Sequence, residues 1–190
     1  MTEDKLLVNK VLKGDHRAFK VLIEQHERLV AHMIYRIVDN SEDREEICQD
    51  VFLKVHKNLK NFKFNAKLST WIATIAYRHA LNYLQRKKKH IHIEGRDDIL
   101  SLNSVNFIDT ITPEYLLNRQ ETKKKIHVLV DMLPVQYKTI LTLFHLEEMT
   151  YPEIVKITGM PEGTVKNYLF RARKLLKENL EKLILKEETI

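Results

Sequence analysis

A chain of 190 residues with 44% hydrophobic content is long enough for one ordinary domain or two small ones. Four Gly, four Pro and one Cys leave little material for β-hairpin arrays or Gly-rich phosphate loops and exclude disulfide scaffolds and zinc sites built on paired cysteines, so a mostly helical chain is expected. The net charge of +6 suits a polyanionic partner, while the polar start MTEDKLLVNK and the lack of an apolar run of ~18 residues predict a soluble, intracellular protein without membrane insertion.

Charge is uneven along the chain. Residues 1–90 carry net +7, 91–122 net −4 and 123–190 net +3, which marks two basic lobes joined by an acidic strip. The strip contains Gly95 and Pro113, is rich in Ser, Asn and Asp, and lacks sustained helical periodicity. It reads as a linker, longer than a compact domain normally leaves without structure.

In the first lobe, Gly14-Asp15 offers an N-cap to a helix whose apolar positions Phe19, Leu22, Ile23, Leu29, Val30, Met33 and Ile34 share one face. A second helix is expected from Ser41, whose hydroxyl can cap the first turn, with Ile47, Val51, Val55 and Leu59 at i,i+4 steps. Its opening turns carry Glu42, Asp43, Glu45, Glu46 and Asp50. Acids there suit the positive end of the helix dipole, but five exceed what capping needs. The surface reads either as a solvated helix start or as a docking face for a basic partner.

The loop NFKFNAK, 61–67, leads to a third helix from Leu68 or Ser69 to about Lys89. Ile72, Ile75, Ala76, Ala80 and Leu84 form its apolar face, and Arg86, Lys87, Lys88 and Lys89 end it, as the dipole favours. Phe62, Lys63, Phe64, Lys67, Trp71, Tyr77, Arg78 and Tyr83 interleave rings with cations. That mixture suits single-stranded nucleic acid, because bases stack on aromatic faces at ~1–3 kcal/mol each while Lys and Arg follow the backbone. Some of these rings must also serve the core, Trp71 first among them.

In the second lobe, Thr150-Tyr151-Pro152-Glu153 reads as a capping box opening a short helix, YPEIVKIT, that stops at Gly159; Pro161 and Glu162 open another. Helix, short Gly-containing turn and helix make a helix-turn-helix. At ~100° per residue from Val165, Leu169, Ala172 and Leu176 cluster on one face, and Asn167, Phe170, Arg171 and Lys174 fall opposite. The outer face holds the side chains that read base edges: Arg or Lys for guanine, Asn for adenine and an apolar ring for a thymine methyl. A merely solvated face has little use for Phe170.

Residues 133–176, LPVQYKTILTLFHLEEMTYPEIVKITGMPEGTVKNYLFRARKLL, resemble region 4 of bacterial sigma factors. SEDREEICQDVFLKVHKNLKNF, 41–62, resembles region 2.2, and FNAKLSTWIATIAYRHALNYLQRKKK, 64–89, resembles regions 2.3 and 2.4. Two regions in that order, without a region 1.1 or region 3 counterpart, are similar to the extracytoplasmic-function, or group 4, members of the sigma-70 family. The resemblance implies an all-α fold: a region 2 bundle over 1–90 and a region 4 helix-turn-helix over 123–190, joined by the extended acidic linker 91–122. It implies an RNA polymerase sigma factor, with no catalysis, cofactor or metal of its own, that directs core RNA polymerase to promoters.

By the same resemblance, Glu45, Glu46, Gln49, Asp50 and Lys54 would dock on the β′ coiled coil, and region 4 would meet the β flap. Phe62, Lys63, Phe64, Asn65, Lys67, Ser69, Trp71, Tyr77, Arg78, Arg86 and Lys87 would melt and hold the minus-10 element. Thr164, Lys166, Asn167, Phe170, Arg171, Arg173 and Lys174 would read the minus-35 duplex. The acidic linker would thread toward the polymerase active centre and RNA exit path, and an anti-sigma factor or recruiting protein would be a further partner. The protein would act in the bacterial cytoplasm, at the nucleoid. The chain departs from the family pattern at Tyr77-Arg78, where many members read x-Asn, and at Val155 and Asn167, which replace Ala and Ser, so promoter preference does not carry over.

Two other readings compete. A stand-alone helix-turn-helix regulator would not need the loop at 61–67. A metal nuclease would have to use Glu45, Glu46 and Asp50, but no second ligand cluster converges on them in sequence, and His90 and His92 have no further ligands nearby.

Overall fold

The computed structural model of the chain describes residues 3–93 and 126–187. The expected linker, 91–122, lies outside these residues except for 91–93, which continue a helix. The elements are α1 (Glu3–Leu12), α2 (His16–Ile37), α3 (Ser41–Asn58) with a 3₁₀ turn at Leu59–Asn61, α4 (Leu68–Ile93), α5, described over 126–131, α6 (Val135–His145), α7 (Tyr151–Thr158) and α8 (Glu162–Glu187). No strand occurs among the described residues.

Local chemistry explains the starts of the first helices. Gly14, at φ +86°, turns the chain, and the Asp15 carboxylate accepts from the Arg17 and Ala18 amides at 2.9 and 3.1 Å, capping α2. At α3 the cap is Asn40, not Ser41: its side-chain oxygen accepts from the Glu42 amide at 2.9 Å, and Ser41 is already helical. Asn and Ser are comparable caps, and the extended backbone at position 40 gives Asn the role. The sequence reading also missed α1, whose polar surface disguises a short stripe ending in the buried Val8 and Val11.

α2 packs against α3 and α4, burying Leu22, Met33, Ile34 and Ile37 with Val51 and Val55 of α3 and Ile72, Ala76 and Ala80 of α4. α6 then lies against both α2 and α8, and α7 is held between α4 and α8. Ile140, Leu143, Ile154, Ile157, Val165 and Leu169 therefore belong to the same apolar core as the first lobe. Full burial of such side chains stabilises by ~1.5–3 kcal/mol each, so the two lobes share the interior that stabilises them.

Candidate nucleic-acid interface

The helix-turn-helix is built from its capping groups. The Glu153 carboxylate accepts from the Thr150 amide and hydroxyl, both at 2.8 Å, closing the box at the start of α7. Gly159 adopts φ +73°, a left-handed conformation that a Cβ would strain, and its amide returns to the Val155 carbonyl at 2.8 Å. Three residues later α8 begins, with Val165, Leu169 and Ala172 fully buried and Phe170 66% exposed. Lys166, Asn167, Arg171, Arg173 and Lys174 are also exposed, and Thr164 is half-buried beside them.

Several of these cations are already oriented. The Arg173 guanidinium donates through Nε and Nη2 to His145 Nε2 at 3.1 and 3.0 Å and lies 5.3 Å from the Phe144 ring. Burial, and then the Arg173 charge, lower the pKa of His145 and favour the neutral acceptor. Lys166 pairs with Glu162 at 2.6 Å and lies 5.3 Å from the Tyr151 ring; Lys174 is 3.9 Å from Glu178. Exposed pairs of this kind are weak in water, so a phosphate can displace the acid without large cost.

At the other candidate surface, the structure changes the roles of two residues. Phe62 and Tyr77, expected to face DNA, are 8% and 5% exposed. α4 packs against α2, α3 and α7, so its buried surface is wider than one stripe and takes in Tyr77. Phe62 packs inward, its ring 4.6 Å from Phe64 and 5.2 Å from Trp71. Phe62 therefore supports the loop from beneath, whereas Tyr77 is a member of the apolar core. Trp71 and Ser69 are half-buried; Lys63, Phe64, Asn65, Lys67, Arg78, Arg86 and Lys87 are exposed. Phe64 sits at φ +57°, a conformation that costs a bulky residue ~1–3 kcal/mol.

The same loop meets α7. Lys67 Nζ is 2.9 Å from the Glu153 carboxylate, the Thr70 hydroxyl approaches that carboxylate at 3.5 Å, and Lys156 Nζ donates to the Asn65 carbonyl at 3.4 Å. Burial pushes the Glu153 pKa up, but the Thr150 amide, Lys67 and the Thr150 hydroxyl outweigh it and hold the carboxyl at about 2. A second seam joins α2 to the second lobe: Arg36 bonds Asp131 and, at 2.8 Å, His127, while His32 lies 2.5 Å from Glu147.

On α3, Glu45, Glu46, Gln49, Asp50 and Lys54 are exposed. Leu53, absent from the sequence reading, stands among them at 58% exposure. The missed signal is its position, outside the Ile47-Val51-Val55 stripe and one turn from Gln49 and Asp50. Asp43 is turned inward to accept the Tyr83 hydroxyl; burial, together with that bond, raises the Tyr83 pKa to about 12. Among the described residues, no group of three or more His, Cys, Asp or Glu side chains gathers to hold a metal ion, and no helix is long and apolar enough to cross a membrane. The side chains of His90 and His92 lie outside the described residues.

The family model for sigma-70 region 2 matches residues 22–90, and that for sigma-70 region 4 matches 123–176, together well over half of the chain. The chain belongs to the sigma-70 family. It is an RNA polymerase sigma factor of the extracytoplasmic-function type. It is 29% identical to RNA polymerase sigma-H factor of Pseudomonas aeruginosa over 96% of both chains. It is also 29% identical to ECF RNA polymerase sigma-E factor of Haemophilus influenzae, covering 95% of this chain and 97% of that one. The SigW factor of Bacillus subtilis is 28% identical, with 94% and 97% covered.

Two solved structures share the fold. CnrH in complex with the cytosolic domain of CnrY matches at TM-score 0.67 and 17% identity, over 95% of this chain and 99% of that one. The sigma factor RpoE of Bartonella quintana, in complex with the anti-sigma factor NepR, matches at TM-score 0.64 and 20% identity, over 86% and 96%. In this sigma factor the region 2 match spans α2 through most of α4, and the region 4 match takes in α5 to α7 and the first half of α8. The buried Phe62 and Tyr77 and the exposed Phe170 fall within those matches.

Proposed function

We propose that this sigma factor docks on core RNA polymerase through the exposed face of α3, holds melted minus-10 DNA with the loop at 61–67 and the outer side of α4, and reads the minus-35 duplex with α8. The observation that carries the reading is α8 itself. Val165, Leu169 and Ala172 on its inner face are fully buried and Leu176 half-buried, while Phe170 is 66% exposed among Asn167, Arg171 and Lys174, a costly place for an aromatic ring unless a partner covers it. Lys63, Phe64, Asn65 and Lys67 supply the ring, amide and charges for a single strand, and Phe62 and Trp71 brace them.

Both promoter elements cannot be held in the closed arrangement. The names minus-10 and minus-35 put them about 25 base pairs apart, ~85 Å of duplex at 3.4 Å per step. The loop at 61–67 touches α7, which is about 12 Å long and leads within three residues to α8. The lobes therefore part when the polymerase is engaged, with 91–122 as the tether between a region 2 unit, 1–90, and a region 4 unit, 123–190. The seam suits reversible opening, since it includes the buried Arg36, bonded to Asp131, and the buried Lys138, 3.9 Å from Asp39.

The remaining roles follow. The factor performs no catalysis, needs no cofactor or metal and works in the bacterial cytoplasm at the nucleoid. Region 2 meets the β′ coiled coil, region 4 the β flap, and the acidic linker follows the path that RNA also uses. The anti-sigma factor bound to the B. quintana relative supports an inhibitory protein partner of that class for this chain. Core polymerase with and without the full chain, followed by mapping of transcript 5′ ends, tests the reading. Defined new starts are expected; starts identical to those of core alone would overturn it, and tight specific duplex binding without polymerase association would favour a stand-alone regulator instead.

A further inference from the structure

Asp50 and Lys54 are one helical turn apart on the exposed face of α3, the natural spacing for pairing with each other. Both instead reach the same side chain on α4. His79 Nδ1 lies 2.6 Å from Lys54 Nζ, and His79 Nε2 lies 3.3 Å from the Asp50 carboxylate. The His79 side chain is only 12% exposed, while that of Asp50 is 51% exposed.

One protonation state serves both contacts. A neutral imidazole with its proton on Nε2 donates to the carboxylate and accepts from the ammonium through Nδ1; an imidazolium has no acceptor left for Lys54. The surroundings favour the neutral form. Burial lowers the His79 pKa first and Lys54 lowers it further, Asp50 opposes both, and Arg86 on α4 adds to the lowering.

We propose that His79 is a positioning residue for polymerase binding: it holds the Asp50 carboxylate and the Lys54 ammonium in the orientation that the polymerase surface meets. The proposal rests on the docking role given above to α3. Exposed Asp and Lys side chains otherwise lose rotamer freedom on binding, and fixing them beforehand removes that loss. For two side chains this predicts about a tenfold gain in affinity.

The test measures the affinity of the full chain for core RNA polymerase between pH 5 and 8, so that the window extends below the ordinary imidazole value of 6.5 from which the His79 pKa is lowered, with the thermal midpoint of each variant alongside. His79→Ala should bind about tenfold more weakly at pH 8 while the chain remains folded at the assay temperature, even though loss of a buried ring lowers its midpoint. His79→Gln, which keeps one acceptor and one donor, should restore most of the affinity. Wild-type affinity should fall as pH drops and His79 protonates, whereas that of His79→Gln should lose this dependence. In an Asp50→Ala, Lys54→Ala background, His79→Ala should cost nothing more. An equal loss in that background, failure of His79→Gln to restore affinity, or wild-type affinity of His79→Ala would each overturn the proposal. Wild-type affinity of the Asp50→Ala, Lys54→Ala chain would instead overturn the docking role of these two residues, and His79 positioning with it.

Discussion

Glu153 works in two places at once, and Glu153→Gln separates them. Gln keeps the capping-box geometry at the start of α7, because either side chain can reach back to the Thr150 amide. It removes the charge that faces Lys67 at 2.9 Å across the lobes. The Glu153 pKa falls from 4.5 to about 2, a shift that corresponds to ~3 kcal/mol at 1.36 kcal/mol per unit before screening. Part of that shift comes from the Thr150 amide and hydroxyl within the same cap, and the Lys67 side chain is 71% exposed. The interlobe share is therefore that of a partly screened pair, ~1 kcal/mol.

A double-mutant cycle with Glu153→Gln and Lys67→Met, read by urea unfolding, should return a coupling energy of ~1 kcal/mol. The pH dependence has a defined sign. A carboxyl with a depressed folded pKa adds stability that is fully present above 4.5 and lost as pH falls toward 2. The wild type should thus lose its advantage over Glu153→Gln across that window, while the variant lacks this dependence. Additivity of the two substitutions within ~0.3 kcal/mol would mean that the lobes do not meet through this pair in solution, and would refute the closed arrangement at that seam.

Phe170→Ala should change stability by less than ~0.5 kcal/mol while reducing initiation from promoters with an intact minus-35 element, as compared by run-off transcription. Arg171→Ala should cost ~1–3 kcal/mol on the same promoters, and an unchanged start-site profile would remove it from the reading set. Leu53→Ala should leave the unfolding midpoint in place and weaken core polymerase binding at least tenfold, since burial of a Leu is worth ~1.5–3 kcal/mol; equal affinity would exclude Leu53 from the interface. Ile157→Ala, at a site 1% exposed, should cost ~2–5 kcal/mol and lower hydrogen-exchange protection in α2 and α4 as well as α8. Loss confined to α8 would show that the shared core does not act as one unit.

The helix-turn-helix was legible because its determinants are local. Thr150, Glu153, Gly159 and Pro161 act within one or two turns of themselves, and the angular spacing from Val165 was enough to expose Phe170 and bury Leu169. Competition between neighbours was less legible: Asn40 and Ser41 both cap well, and backbone geometry chose Asn40. Leu53 was missed because an apolar residue outside the buried stripe looks like noise until its exposure is measured. Phe62 and Tyr77 were misplaced because an aromatic ring serves stacking on a base and packing in a core equally well, and only the neighbours decide between them.

The positions of α2, α3, α4, α7 and α8, the capping of α2 and α7, the two-lobed charge pattern and the family resemblance followed from the amino-acid sequence, because each depends on residues a few positions apart or on the order of short motifs. The pairing of the lobes did not. Lys156 meets Asn65 across 91 residues of sequence, and Glu153 gives one carboxylate both to its own helix cap and to Lys67. Sequence periodicity describes which face of a helix is apolar, but contacts at that separation depend on how whole helices pack. Tertiary structure alone decided that α4 is buried by both lobes, that the candidate minus-10 loop rests on α7, and that His79 stands between Asp50 and Lys54.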